Sequence, residues 1–292
     1  MGRNQYSPTV RRRRLGTQLR RLREESGNTL HGVSSQLGWA RAKVGRIETS
    51  ELKTVKPADL DALLDLYKVR EPDDRASLHQ LAREAKHKGW WWKYRDIFGP
   101  EPLPDFEAEA SQIRTYEVAT VPGLLQTPEY AEAVFRGGRY TSYEQVQRHV
   151  EARMERREIL QRFENPPRLW TVIDEAALRR PIGGPDVMRT QIEYLLRVGQ
   201  LPHIDLQVLP FAVGAHAALG RPFTILDFPE SLDPTIVYSD SVGAGTFEED
   251  PAEVAQYLAT FSDIQGASLS TVASAQRIEG ILEESEVDHV ST

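Results

Sequence analysis

Leu30-His-Gly-Val-Ser-Ser-Gln-Leu-Gly-Trp-Ala-Arg-Ala-Lys-Val-Gly-Arg-Ile-Glu-Thr49 is the stretch on which the fold turns. Its apolar residues Val33, Leu37, Val44 and Ile47 fall where two short helices, 30–37 and 40–48, must meet across a tight turn. Ser34 is small where the second helix passes closest. Gly38 occupies the turn, where a positive φ is needed and glycine has no Cβ to oppose it. Trp39 follows and can lock the turn onto a core. The segment predicts a helix-turn-helix.

The flanks fit the same reading. Ser7-Pro8 opens a helix with a capping hydroxyl and a proline at the first helical position. Leu15, Leu19 and Leu22 lay one apolar stripe along it. Gly27 ends that helix and Thr29 can cap the next. Helices over 57–67 and 73–88, opened by Pro57 and by Pro72-Asp73, bring the number to five. Residues 1–88 are therefore predicted as a five-helix domain with the helix-turn-helix at its second and third positions.

Around Gly89 the texture changes. Trp90, Trp91 and Trp92 stand in a row, and Phe98-Gly-Pro-Glu-Pro-Leu-Pro104 suits neither a regular helix nor a central strand. Residues 89–104 read as a junction and 105–292 as a larger second domain. There, helical spacing fits 128–136, 143–163, 185–198, 251–262 and 268–283, and β-type runs fit 169–173, 204–210, 223–228 and 235–238. The expected fold is multidomain, α and α+β: a helical N-terminal domain and a mixed α/β C-terminal domain whose strand order the sequence does not fix.

Charge separates the two parts. The net −7 divides into 21 Lys+Arg against 11 Asp+Glu in residues 1–95, and 15 against 32 beyond. One end is suited to a polyanion and the other is not. The absence of cysteine removes disulfides, thiolate zinc sites and a cysteine nucleophile together. No apolar run approaches the roughly 18 residues needed to span a bilayer, and the polar, arginine-rich start resembles no signal peptide. A cytoplasmic, nucleoid-associated protein is expected.

A helical wheel assigns roles within 40–48. Ala40, Val44 and Ile47 share the side predicted to be buried, and Arg41, Ala42, Gly45 and Arg46 share the opposite one. Arginine can donate two hydrogen bonds to guanine, so Arg41 and Arg46 are the expected base-readers. Gly45 allows close backbone approach and Ala42 suits a thymine methyl. Lys43 on the flank, and Lys53 and Lys56 in the following loop, are expected to meet phosphates. Arg11, Arg12, Arg13 and Arg14 crowd the start of a helix, where the macrodipole disfavours cations. A phosphate backbone would reverse that penalty, so this run is a further candidate phosphate contact.

These residues, with Leu22-Arg-Glu-Glu25 before the unit and Val44-Gly-Arg-Ile-Glu48 closing it, resemble the XRE, or lambda-repressor-like, helix-turn-helix regulators. The resemblance implies that helix 40–48 enters the major groove and that Glu48 pairs with Arg23. Lys88-Gly-Trp-Trp91, Val121-Pro-Gly-Leu-Leu-Gln-Thr-Pro-Glu-Tyr130, Gln207-Val-Leu-Pro-Phe211 and Gly214-Ala-His216 resemble an actinobacterial, antitoxin-like subclass with a large C-terminal domain. One small module of this kind rarely supplies enough affinity alone, so a homodimer held by the second domain is expected, and the resemblance implies that this domain responds to a small partner protein. The chain departs from the family at Leu30, where many members carry a glutamine expected to touch phosphate.

The second domain shows no GxxxxGK[ST], G-x-S-x-G or H-E-x-x-H, and His149, His203 and His216 lack metal-ligand spacing. No catalytic residue, cofactor or metal is expected. The tryptophan row cannot all enter one core, so Trp90, Trp91 and Trp92 mark a hinge or a partner or ligand surface. A small-molecule-responsive repressor, an enzyme tethered to DNA, and a protein–protein scaffold stand as alternatives. The arginines speak against the last, whose groove would be apolar.

Overall fold

The computed structural model describes residues 7–99, 102–138, 142–230, 233–240 and 245–290, with side chains through Glu284. The chain forms two compact units. One comprises residues 1–109 with 229–233, the other 110–228 with 234–292.

The first unit is helical. Its long opening helix, α1 (Pro8–Glu25), is capped by the Ser7 hydroxyl, which accepts the Val10 N–H at 2.8 Å. Then come α2 (Leu30–Gln36), capped by Thr29, α3 (Lys43–Glu48), α4 (Pro57–Leu66) and α5 (Pro72–Glu84). Leu15, Leu19, Val33, Val44, Ile47, Leu60, Leu63 and Leu64 form the fully buried core between them. The fifth helix ends at Glu84, four residues short of the expected 88.

Residues 89–104 do not separate from this unit. A 3₁₀ turn over Trp90–Tyr94, then α6 (Arg95–Phe98) and α7 (Leu103–Glu107), continue it to Glu109. The reason is visible in the contacts: the aromatic rings engage one another, and α7 fastens to α1 through its carboxylates. The prolines make the sequence read as a boundary there, yet the described residues on either side, 90–99 and 102–107, are packed into the unit.

The second unit is a six-stranded mixed sheet in the order β3-β2-β1-β4-β5-β6. Its strands are β1 (Gln112–Glu117), β2 (Arg168–Asp174), β3 (Ile204–Leu209), β4 (Phe223–Asp227), β5 (Ile236–Ser239) and β6 (Thr246–Glu248). β1, β2 and β3 run parallel, while β4 lies antiparallel on β1 with Tyr116 opposite Phe223. The parallel strands need crossovers. α8 (Pro128–Arg136) and α9 (Tyr143–Arg157) supply the first, α10 (Glu175–Arg179) and α11 (Pro185–Val198) the second.

After the sheet, α12 (Pro251–Ala267) covers one face. Its Val254, Phe261 and Ile264 join Tyr116, Val172, Phe223, Ile225 and Val237. The last helix, α13 (Thr271–Val290), and its approach protect the edge strand β3: Leu269 N–H donates to Val208 O at 2.9 Å, and Val208 N–H donates to the Ser274 hydroxyl at 2.9 Å. An uncovered parallel edge would otherwise recruit other strands.

Four strands fall where the sequence places β-type runs. The central strand β1 and the short β6 do not. Gln112-Ile-Arg-Thr-Tyr-Glu117 hides its role because its polar residues are neutralised across the sheet: Arg114 pairs with Asp227 at 2.5 Å, and the Thr115 and Thr224 hydroxyls bond at 3.2 Å.

Candidate nucleic-acid interface

The recognition segment is built from its turn. Gly38 has φ +64°, a conformation that side chains with a Cβ resist, and it lets Trp39 N–H donate to Ser34 O at 2.8 Å. α3 begins at Lys43, not at residue 40, with Ala42 as its N-terminal flank and Arg41 in the turn before it. Ala40 is consequently exposed, because it precedes the helix and the wheel does not apply to it. Val44 and Ile47 are buried as expected.

On the outward side stand Arg41, Ala42 and Arg46, all exposed, with half-buried Gly45 among them. Nothing lies within 4 Å of where a Gly45 Cβ would be. Arg46 is 3.7 Å from Glu51, but both side chains are more than half exposed, so the pair restrains the arginine little. Lys53 and Lys56 are exposed on the loop that follows. Lys43 is placed differently. Its Nζ sits 2.7 Å from Asp59 and 3.7 Å above the Trp39 ring, so it already has two partners within the unit.

α3 is fastened to α1 at two points. Arg23 holds Glu48 with two parallel bonds, Nε to Oε1 at 2.7 Å and Nη2 to Oε2 at 2.9 Å. Gly16 is the second. A Cβ there would lie 2.5 Å from Glu48 O and 3.0 Å from Ile47 O, both backbone atoms. Gly16→Ala should therefore lower stability by about 1–3 kcal/mol, since overpacking against backbone outweighs the roughly 1 kcal/mol alanine gains in a helix. Urea unfolding followed by circular dichroism measures it; an unchanged midpoint would mean that the two helices can part freely.

The four arginines of α1 divide. Arg14 and Arg11 turn inward to carboxylates: Arg14 to Asp233 and Glu109, Arg11 to Glu109 and Glu84. Arg13 lies over the Phe106 ring at 4.8 Å. Arg12 carries on its carbonyl the Ser50 hydroxyl at 3.2 Å, which sets the run against the loop after α3. Ser7 and Thr9 each donate a hydroxyl hydrogen to Asp105 at 2.5 Å. Burial pushes the Asp105 and Glu109 carboxyls up, against the hydroxyls of Ser7 and Thr9 in the first case and Arg11 in the second. Sequence reasoning missed Asp105, Glu109 and Asp233. Four adjacent cations at a helix start were the available signal that carboxylates must lie near.

The tryptophans also divide. Trp91 is buried, Trp90 packs edge-on to Trp91, Tyr94 and Phe98 at about 6 Å, and Trp92 is exposed beneath Lys88 and Arg95.

In the second unit the histidines are dispersed. His149 approaches Gln145 O at 2.8 Å, His203 approaches Leu160 O at 2.9 Å, and His216 approaches the Tyr116 hydroxyl at 3.3 Å. Among the described residues no group of three or more His, Asp or Glu could hold a metal ion. Glu175 is buried under Arg179 and Arg277; burial would raise its carboxyl, and the two guanidinium groups hold it below the usual range. Glu117, at the end of β1, behaves oppositely. Burial pushes it up to about 7, although Arg153 and Arg156 pull it down. Its folded-state value lies above its unfolded one, so its contribution is fully present below about pH 4.5 and lost as pH rises to about 7. Wild type should melt lower at pH 8 than at pH 5, by the equivalent of about 1–3 kcal/mol from this group, and Glu117→Gln should lose that component. Identical pH profiles for the two would remove Glu117 as the cause.

A tight glycine turn, a short helix with an apolar inner side, and exposed arginines in the turn and on the helix define a helix-turn-helix protein, the class of DNA-binding regulators. Comparison with known families agrees: residues 14–78 match a helix-turn-helix domain. Residues 101–280 match a domain of unknown function, DUF5753, and the chain belongs to that family. No curated protein and no solved structure matches the chain. Among the described residues no helix is long and apolar enough to cross a membrane.

Proposed function

We propose that the chain is a sequence-specific double-stranded-DNA-binding transcriptional regulator of the XRE type, without catalysis of its own. One observation carries the reading: Arg41 and Arg46 stand exposed either side of an unobstructed Gly45, on the segment whose other side is the core. Arg41, Ala42, Gly45 and Arg46 read bases, and Lys53 and Lys56 hold phosphates. Lys43 would have to leave Asp59 to do the same. A homodimer would present two such segments about one helical turn apart, near 34–36 Å. The second unit supplies the dimer contact and answers a small partner protein, in an antitoxin-like arrangement in the cytoplasm and nucleoid. The exposed Trp92, on the first unit, is a separate candidate for a partner surface.

The test is binding of the intact protein to DNA from its own upstream region, against scrambled duplex, across a salt series. Sequence preference with a steep negative salt slope supports the reading. Equal binding to both duplexes at every salt concentration would remove it. A second reading, a small-molecule-responsive repressor, is favoured by His216, whose Nδ1 is buried with no hydrogen-bond partner among the described residues. It lies beside Tyr116 and Asp174 at the carboxyl ends of β1 and β2, where α/β sheets bind ligands.

A further inference from the structure

The start of α1 poses a problem of charge. Arg14 Nε donates to both carboxylate oxygens of Asp233 at 3.0 Å, and its Nη2 contacts the same group and, at 3.3 Å, Glu109. Arg11 reaches Glu109 at 2.8 Å and Glu84 at 3.2 Å. Arg14, Glu109 and Asp233 side chains are each no more than 6 % exposed. Three carboxylates thus meet two guanidinium groups, and Glu230 adds further negative potential at Arg14. Among the described residues these three carboxylates come from three separate stretches of chain.

Carboxylate and phosphate are rival partners for the same guanidinium fork, since both accept two parallel bonds from it. The run they contest lies beside the loop that carries Lys53, through the Ser50–Arg12 contact. We propose that Glu84, Glu109 and Asp233 form an acid lock that withholds Arg11 and Arg14 from the DNA backbone. The chain then binds duplex with fewer phosphate contacts than its arginine run could make. This inference rests on the DNA-binding reading and adds to it a built-in restraint on affinity that is blind to sequence.

The test is Glu84→Gln with Asp233→Asn in the full-length chain. Glu109 remains for both arginines, so neither is left in the interior without a counter-charge. Expected is tighter binding to every duplex alike, by roughly tenfold at about 0.1 M salt for each phosphate contact regained. The salt slope steepens by about 0.9 per contact, and the ratio of specific to scrambled binding stays as in wild type. Adding Arg14→Gln should cancel its share of the gain. A folded double variant with the wild-type slope, unchanged again when Glu109→Gln is added, overturns the lock.

Should the double variant fail to fold, the wild-type background decides. Arg11→Gln must leave the salt slope unchanged, because a locked arginine touches no phosphate; a slope flattened by about one overturns the lock. The two readings fail separately. Sequence-specific binding by wild type with no slope change in any variant sinks only the lock. No duplex binding by wild type or variants sinks the DNA-binding reading, and the lock with it.

Discussion

Arg41→Ala with Arg46→Ala should leave a folded protein that no longer distinguishes its own upstream sequence from scrambled duplex. Both side chains are exposed, and Arg46 has only a loose, solvated contact with Glu51, so the folded state loses little. The loss falls on recognition. A bidentate arginine–guanine pair discriminates by about 1–3 kcal/mol, so two such pairs are worth roughly 30- to 10⁴-fold in specific affinity. Non-specific binding should fall far less, because the lysines of the following loop remain. Electrophoretic or anisotropy titrations with both duplexes measure the ratio directly. A ratio unchanged by the double substitution would place sequence reading elsewhere on the molecule.

Glu48→Ala is expected to have the largest effect on stability. It removes a carboxylate that is 5 % exposed from an arginine that is 9 % exposed. Breaking such a pair from one side costs about 3–5 kcal/mol, because the remaining charge is stranded in the interior. The Asn28 carbonyl and the exposed Glu24, which Arg23 also contacts, place the expected value near the lower end. Glu48→Gln should cost less, since it keeps one acceptor. Chemical unfolding read by circular dichroism gives the difference. If alanine and glutamine were equally mild, the pair would be dispensable and the helices held by their apolar contacts alone.

The sequence made the N-terminal helices legible because they obey local rules. Ser7, Thr29 and Gly38 act on the backbone within a few residues, and each does in the structure what its position predicts. The inward Val44 and Ile47 followed from periodicity alone. What periodicity could not supply was the first residue of α3, and with it the fate of Ala40, since the turn runs on through Ala42 with no strong capping residue to mark its end.

Long-range pairs were the other hidden part. Lys43 reads as a free flank residue until Asp59 and Trp39 are brought to it. Arg114 makes β1 read as polar until Asp227 faces it across the sheet. Arg11 and Arg14 show no counter-charge in the sequence until Glu109 and Asp233 are placed beside them. In each case a charge was visible and its counter-charge was remote in sequence, which single-chain pattern reading cannot bridge.

The helical unit is not one continuous stretch of chain. Residues 229–233, between β4 and β5, belong to it and bring Asp233 to Arg14. A gene-level exchange that swapped only the first 88 or 109 residues between relatives would therefore carry Arg14 away from the acid it grew up with. The helical unit is not a detachable cassette, and compatible chimeras need two crossover points matched to each other. Residues near 233 should then vary in step with those near 14 across relatives, much as the two sides of a subunit interface do.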